Sequence, residues 1–180
     1  MTRIQAIFFI AILALILPRN GFPATDGSLG VTSTGSTDLS ITVPIQVKIS
    51  HVANLTLPSW TGAPGSIATS DDLCIYTNDS AAVYRVTATG DGSGGAFEVS
   101  DLLTNTMSYK IRWNDQTGTT GNVELTSGSQ SAQQSGANTT AQDCSGGDNA
   151  NVEILIENSE LTLTPSGTFT GTLTLLVEPG

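Results

Sequence analysis

The stretch that decides the fold is Asp38-Leu39-Ser40-Ile41-Thr42-Val43-Pro44-Ile45-Gln46-Val47-Lys48-Ile49-Ser50. Leu39, Ile41, Val43, Ile45, Val47 and Ile49 alternate with Ser40, Thr42, Pro44, Gln46, Lys48 and Ser50, so in an extended chain all six apolar side chains share one face. Pro44 lacks an N–H donor, which divides the stretch into two strands or marks a sheet edge. The period of two recurs downstream. Tyr84, Val86 and Ala88 oppose Arg85 and Thr87; Met107, Tyr109, Ile111 and Trp113 oppose Ser108, Lys110, Arg112 and Asn114; Val152, Ile154 and Ile156 oppose Glu153 and Glu157. Near the C-terminus Phe169, Gly171, Leu173, Leu175 and Val177 face inward against Thr168, Thr170, Thr172 and Thr174, which reads as one long half-buried strand rich in β-formers.

Turn clusters separate these runs: Gly90 to Gly95, Asp115 to Gly118, Gly128 to Gly136 and Gly146 to Asn149. No later segment repeats apolar residues every 3.6 positions over two turns, so no helix is expected, and seven to nine short strands read as an antiparallel β-sandwich. Ser127 to Gln142 is low in complexity and nearly without apolar anchors, which predicts a mobile surface loop tied down by Cys144. The chain of 180 residues suits one compact domain. Only 12% of residues are charged, and 16 acids against 6 bases give a net charge of −10, which excludes phosphate-backbone binding by clustered Lys and Arg.

Arg3 followed by the apolar run Ala6 to Leu17 reads as an export signal, too short for the ~20 residues of a membrane span. Cleavage is expected after Ala24; Phe22 is large for its place before that cut, so a retained N-terminal anchor is the alternative. The two cysteines, Cys74 and Cys144, then meet an oxidising compartment and are expected to pair with each other. Chain entropy assigns such a bridge on the order of 4 kcal/mol.

Motifs for chemistry are weak. Gly90-x-Gly92-x-x-Gly95 matches a dinucleotide fingerprint as a string, but Phe97-Glu98-Val99 follows it as a strand, whereas the fingerprint needs a helix. His51 is the only histidine, which excludes a multi-histidine metal site; it shares the parity of Ile45 and Val47 and reads as a partly buried, hydrogen-bonded structural residue. Asp71 and Asp72, with Asp79 nearby, fit no EF-hand spacing and read as solvated turn acids. Trp113 has core parity with Ile111, while Trp60, in a Pro58 to Gly62 loop, is either a packing residue or a sugar-stacking platform. Asn54, Asn78 and Asn138 begin N-glycosylation strings. No cofactor, metal or catalytic residue is expected.

The alternating segment Asp38 to Pro44, a second strand from Ile45 to Leu57, and a final strand Gly167 to Pro179 resemble the subunits of chaperone–usher pili, in particular the archaic and alternative branches with their spore-coat-U-like and colonisation-factor-type pilins. Met107-Ser108-Tyr109-Lys110-Ile111-Arg112-Trp113-Asn114-Asp115 is similar to a mid-chain stretch of spore-coat-U-like domains. Many archaic subunits carry a cysteine just after the donor segment; the first here is Cys74, so the disulfide joins different strands and the branch stays open.

The resemblance implies an incomplete immunoglobulin-like β-sandwich (residues 45–180) behind an N-terminal extension (residues 25–44) that completes the sheet of a neighbouring subunit. It implies Leu39, Ile41 and Val43 as donor side chains, Leu29 and Val31 as outer contacts, and Gly35 where backbones approach closely. It implies an acceptor groove lined by Phe169, Leu173, Leu175 and Val177 and by the Ile45 to Leu57 strand. Its partners would be like subunits in a head-to-tail polymer, a periplasmic chaperone and an outer-membrane usher, and its place the surface of a Gram-negative cell, with a role in adhesion and biofilm formation. A monomeric carbohydrate-binding or adhesin module using Trp60 and loop acids is the alternative. An enzyme with dispersed carboxylates is the third reading, and nothing selects a pair among the acids.

Overall fold

The computed structural model describes residues 24–101 and 103–180, and the export signal read in Arg3 and the Ala6 to Leu17 run lies outside them. The chain divides between Val43 and Pro44 into two units. In the first, Thr25 and Ser36 exchange backbone hydrogen bonds of 2.9 Å, and their hydroxyls lie 2.7 Å apart. A side chain at Gly35 would come within 3.1 Å of the Thr25 carbonyl oxygen, so this glycine permits a close approach inside the unit itself. Residues 37–43 have no ladder partner among the described residues.

The second unit contains strands β1 (Val47–Ser50), β2 (Ile67–Thr77), β3 (Tyr84–Gly90), β4 (Glu98–Ser100), β5 (Thr106–Ser108), β6 (Lys110–Asn114), β7 (Val123–Leu125) and β8 (Ala150–Ile156), a short helix α1 (Asn158–Leu163), and β9 (Leu173–Pro179). One sheet runs β1-β2-β8-β6-β7, and the pairs β3-β9 and β4-β5 complete the set. Every ladder is antiparallel. The predicted alternation sets the core: Tyr84, Val86 and Ala88 from β3 are fully buried, and they meet Leu73 and Ile75 of β2, Ile111 and Trp113 of β6, and Val152 and Ile156 of β8. Trp113 stands edge-on to Tyr84, and its indole N–H donates to the Tyr84 hydroxyl at 3.3 Å, so the largest core side chain buries no orphan donor.

Cys74 of β2 and Cys144 are joined, with Cα atoms 5.7 Å apart. Cys144 adopts a φ of 46°, and both half-cystines are buried.

Several expectations are corrected. The run from Met107 to Trp113 is two strands, because β5 pairs with β4 while β6 pairs with β7 and β8; Tyr109, between them, donates its N–H to the Phe97 carbonyl at 2.9 Å. Its alternation survives the change of partner, since all four side chains stay buried. The final strand begins only at Leu173: Thr170 bridges to Ser100, and the Thr172 N–H bonds the Asp91 carboxylate at 2.8 Å, so the main chain has other partners before it joins β3. The expected strand from Ile45 to Leu57 is regular only over β1, ending where His51 takes a φ of 63°. That residue is exposed, not partly buried, with Nδ1 2.6 Å from an Asp148 oxygen. A helix exists after all, but its six residues complete less than two turns, too few for a 3.6 period to be seen.

The stretch from Ser127 to Gln142 is no free loop. The Gly128 N–H bonds the Ala88 carbonyl, the Ser131 N–H that of Val86, and Gln134 exchanges two bonds with Tyr84, so the segment lies along the outer edge of β3. Asn138 continues this role against Ile75 and Thr77 of β2. Main-chain pairing needs no apolar side chains, which is why composition misread it.

Candidate functional site

Backbone alternation identifies the open side of the molecule. In an antiparallel ladder each residue turns both its N–H and its C=O to the same side, and neighbours alternate. Because Tyr84, Val86 and Ala88 bond the 128–134 segment, Arg85, Thr87 and Thr89 must bond β9, opposite Glu178, Leu176 and Thr174. Leu173, Leu175 and Val177 therefore turn their main-chain groups away from β3, where no described residue meets them. The same reasoning applies to β1. Asn138 takes the main-chain groups of Ile75 and Thr77, so Cys74 and Tyr76 bond Ser50 and Lys48, and Val47 and Ile49 turn theirs outward.

An open groove of about 770 Å³ reaches the start of β9 at Leu173. Its floor is made by Met107, Tyr109, Ile154, Ile156 and Leu161. One wall is the irregular segment Leu55 to Trp60, the other the segment from Thr164 through Phe169 to Leu173. None of its lining residues is charged, and none is histidine. Leu55, Leu57, Trp60, Ile67, Ile154, Phe169 and Leu173 pack against the core yet remain only partly buried. Trp60 is held on the wall by its indole N–H, which donates to the Ala63 carbonyl at 2.9 Å.

Of the expected acceptor residues, Phe169 and Leu173 line the groove, whereas Leu175 and Val177 lie farther along β9, half-buried against the core. From the Ile45 to Leu57 stretch, Leu55 and Leu57 line it although they are not in a strand. In the first unit Leu39 is 95% exposed, Ile41 89% and Val43 68%. Leu29 and Val31 are fully exposed. Of the two readings of Trp60, the structure shows packing: the side chain lies partly buried against the core on the groove wall.

The polar candidates have structural partners. Asp71 and Asp72 lie on β2, not in a turn. Asp71 accepts the Ala53 N–H, and Asp72 accepts from the Gly118 N–H at 2.8 Å and the Asn151 amide at 2.7 Å. Among the described residues no three His, Cys, Asp or Glu side chains are placed to hold a metal ion. The Gly90 to Gly95 turn leads into β4, as the strand after it requires. Burial pushes the Tyr109 phenol, on the groove floor, up to about 12, with the Asp91 charge adding to the shift. Burial likewise raises Tyr84 to about 12, against the opposing Trp113 hydrogen bond. Both stay neutral across physiological pH, so the floor presents no charge. Among the described residues no helix is long and apolar enough to cross a membrane.

No family model matches the chain, and no curated protein does. Among the solved structures similar to this chain are the following three. A chain of the CFA/I fimbrial chaperone–tip adhesin complex aligns at 17% identity and a TM-score of 0.46, over 76% of this chain and 41% of its own. The enterotoxigenic E. coli CFA/I adhesin CfaE, as a point mutant, aligns at 15% and 0.46, over 76% and 43%. A chain of the CsuC–CsuE chaperone–tip adhesion subunit pre-assembly complex, from the archaic chaperone–usher Csu pili of Acinetobacter baumannii, aligns at 14% and 0.39, over 76% and 40%. The chain thus spans about two fifths of the length of each. Its fold is an open, antiparallel β-sandwich in which β1 and β9 leave their outer edges unpaired among the described residues.

Proposed function

We propose that the chain is a structural subunit of a surface pilus, exported through the periplasm and polymerised by donor-strand exchange, in which Leu39, Ile41 and Val43 of one copy enter the groove of the next. One observation carries the reading: a charge-free, largely apolar groove that reaches the unpaired edge of β9 at Leu173 occurs in the same chain as an exposed, charge-free segment with apolar residues at every second position. An added strand would satisfy the main-chain groups of Leu173, Leu175 and Val177, while alternate side chains fill the groove against its partly buried walls. Donor and groove belong to different copies, so the contact is head-to-tail and does not close, which makes a fibre. Until the donor arrives such a groove needs a cover. A periplasmic chaperone is the partner of that kind, an outer-membrane usher the assembly platform, and the cell surface the destination.

The test is removal of residues 25–43. The truncated subunit should fold with its chaperone and fail to polymerise. A synthetic Asp38 to Val43 peptide should raise its melting temperature by binding only the folded state. A truncated protein that is stable alone and indifferent to the peptide, beside a full chain that stays monomeric at high concentration, would overturn the reading.

A further inference from the structure

The same groove poses a question that donor-strand exchange leaves open, namely why the donor does not fill the groove of its own chain. Leu39 to Val43 immediately precede β1, whose outer edge is one of the two unpaired edges. A reversal over Val43 to Gln46 would lay the segment antiparallel to β1 as a hairpin. The effective concentration of a tethered donor would then favour this self-filled monomer over a fibre.

Two features of the sequence and the geometry oppose that reversal. Pro44 fixes its own φ near −65°, so it cannot stand first in the two-residue hairpin turns, which need positive φ there. Wider loops built on a type I turn remain open to it, since proline suits their second position. These are blocked by Asn78. Its N–H donates to the Gln46 carbonyl at 3.2 Å, its side-chain oxygen accepts the Gln46 N–H at 2.7 Å, and its side-chain NH₂ donates to the Pro44 carbonyl at 3.0 Å. The carboxamide thus stands in for the next peptide unit of β2 and extends the β1–β2 ladder past Val47 to Pro44. Any turn over residues 43–46 must break the last two of these bonds.

We propose that Asn78 is a positioning residue that holds Pro44 to Gln46 in line with β1 and so directs the donor segment to another copy instead of its own groove. The inference rests on the donor-strand reading and assigns Asn78 no contact with the donor itself. The Asn78-Asp79-Ser80 string then has a structural purpose, independent of glycosylation.

The experiment places Ile41→Cys in the full chain with Leu173→Cys, Leu175→Cys or Val177→Cys in turn, and separates cross-linked chains on non-reducing gels. With Asn78 present, the new disulfides should join different chains. With Asn78→Ala, the intramolecular product should rise roughly tenfold relative to the intermolecular one, as two hydrogen bonds of ordinary strength are lost. Asn78→Asp keeps the acceptor for Gln46 and loses the donor to Pro44, so it should fall between; if Asn78→Ala fails to form its Cys74–Cys144 bridge, this variant decides. An unchanged intramolecular fraction in a folded Asn78 variant, with intermolecular products still formed, overturns the role of Asn78 and leaves the donor reading standing. Absence of intermolecular products even with Asn78 in place overturns both.

Discussion

Alanine substitution along residues 39–43 should produce a sawtooth in fibre stability. In the subunit Ile41 is 89% exposed, so its side chain contributes almost nothing to the fold of its own chain. Surface substitutions of that kind change stability by roughly 0.5 kcal/mol or less. In the groove of a neighbour the same side chain would be buried among apolar atoms, where Ile→Ala costs about 2–5 kcal/mol. Taking about 3 kcal/mol, subunit release from fibres should accelerate roughly 150-fold at 1.4 kcal/mol per factor of ten. Leu39→Ala should act similarly and Val43→Ala less, because valine loses fewer methyl groups. Ser40→Ala and Thr42→Ala, on the opposite face of the strand, should leave release within a few-fold of the parent. The assay heats fibres in detergent and follows free subunit on gels against time, with chaperone-bound subunit as the control for folding. Equal effects at odd and even positions would refute the strand geometry. Loss of folded, chaperone-bound subunit in Ile41→Ala would show that Ile41 belongs to its own core.

Cys74→Ser should lower the yield of folded subunit, by an effect of about 4 kcal/mol for a bridge spanning 70 residues; peptide mapping of the parent should recover the Cys74–Cys144 pair and no free thiol. Gly90→Ala should destabilise the second unit by a few kcal/mol in chemical denaturation, because its Cβ would collide with the Ala96 carbonyl oxygen, a backbone atom that cannot swing aside. Tyr84, raised from 10 to about 12 in the fold, should make stability fall with alkali. Its neutral form is favoured in the fold, so this stability is full below pH 10 and is lost as pH rises through 12, by roughly 3 kcal/mol. Tyr84→Phe should flatten that part of the denaturation profile.

Side-chain alternation carried the core. Tyr84, Val86 and Ala88 are buried as their parity requires, and so are Met107, Tyr109, Ile111 and Trp113 although their main chain changes partners midway. Parity records which face a side chain takes; it does not record which strand lies alongside. The break between β5 and β6, the late start of β9 at Leu173, and the early end of β1 at His51 were therefore illegible, since each depends on a hydrogen bond to a residue far away in the chain. The seal on β3 was hidden for the same reason. Ser131 and Gln134 pair through their backbones, and a serine- and glutamine-rich sequence looks the same whether it is free or docked. The groove was half legible. Phe169 and Leu173 follow from the C-terminal alternation, but Ile154 reads simply as core and is only partly buried on the groove floor, whereas Ile156 beside it is core as it reads.

The treatment of the two sides of the β3–β9 pair argues that the opening belongs to the design of the fold. An unpaired edge invites association with any other chain. The outer edge of β3 is closed by the chain's own residues 128–134, which contribute little apolar surface and act through main-chain bonds joined by the Ser131 and Gln130 side chains. A chain able to supply that seal could close β9 similarly, yet among the described residues the outer edge of β9 remains open, and its first residue, Leu173, lines the groove. Charge is distributed to match. The chain carries a net charge of −10, but none of its 16 acids lines the groove. Copies therefore repel one another through surfaces whose field is screened within about 8 Å at physiological salt, while the groove is lined only by neutral side chains. A charged segment entering there would lose its hydration without gaining a partner. In the proposed fibre, Leu39 to Val43 would meet the groove's apolar and main-chain demands without carrying such a charge.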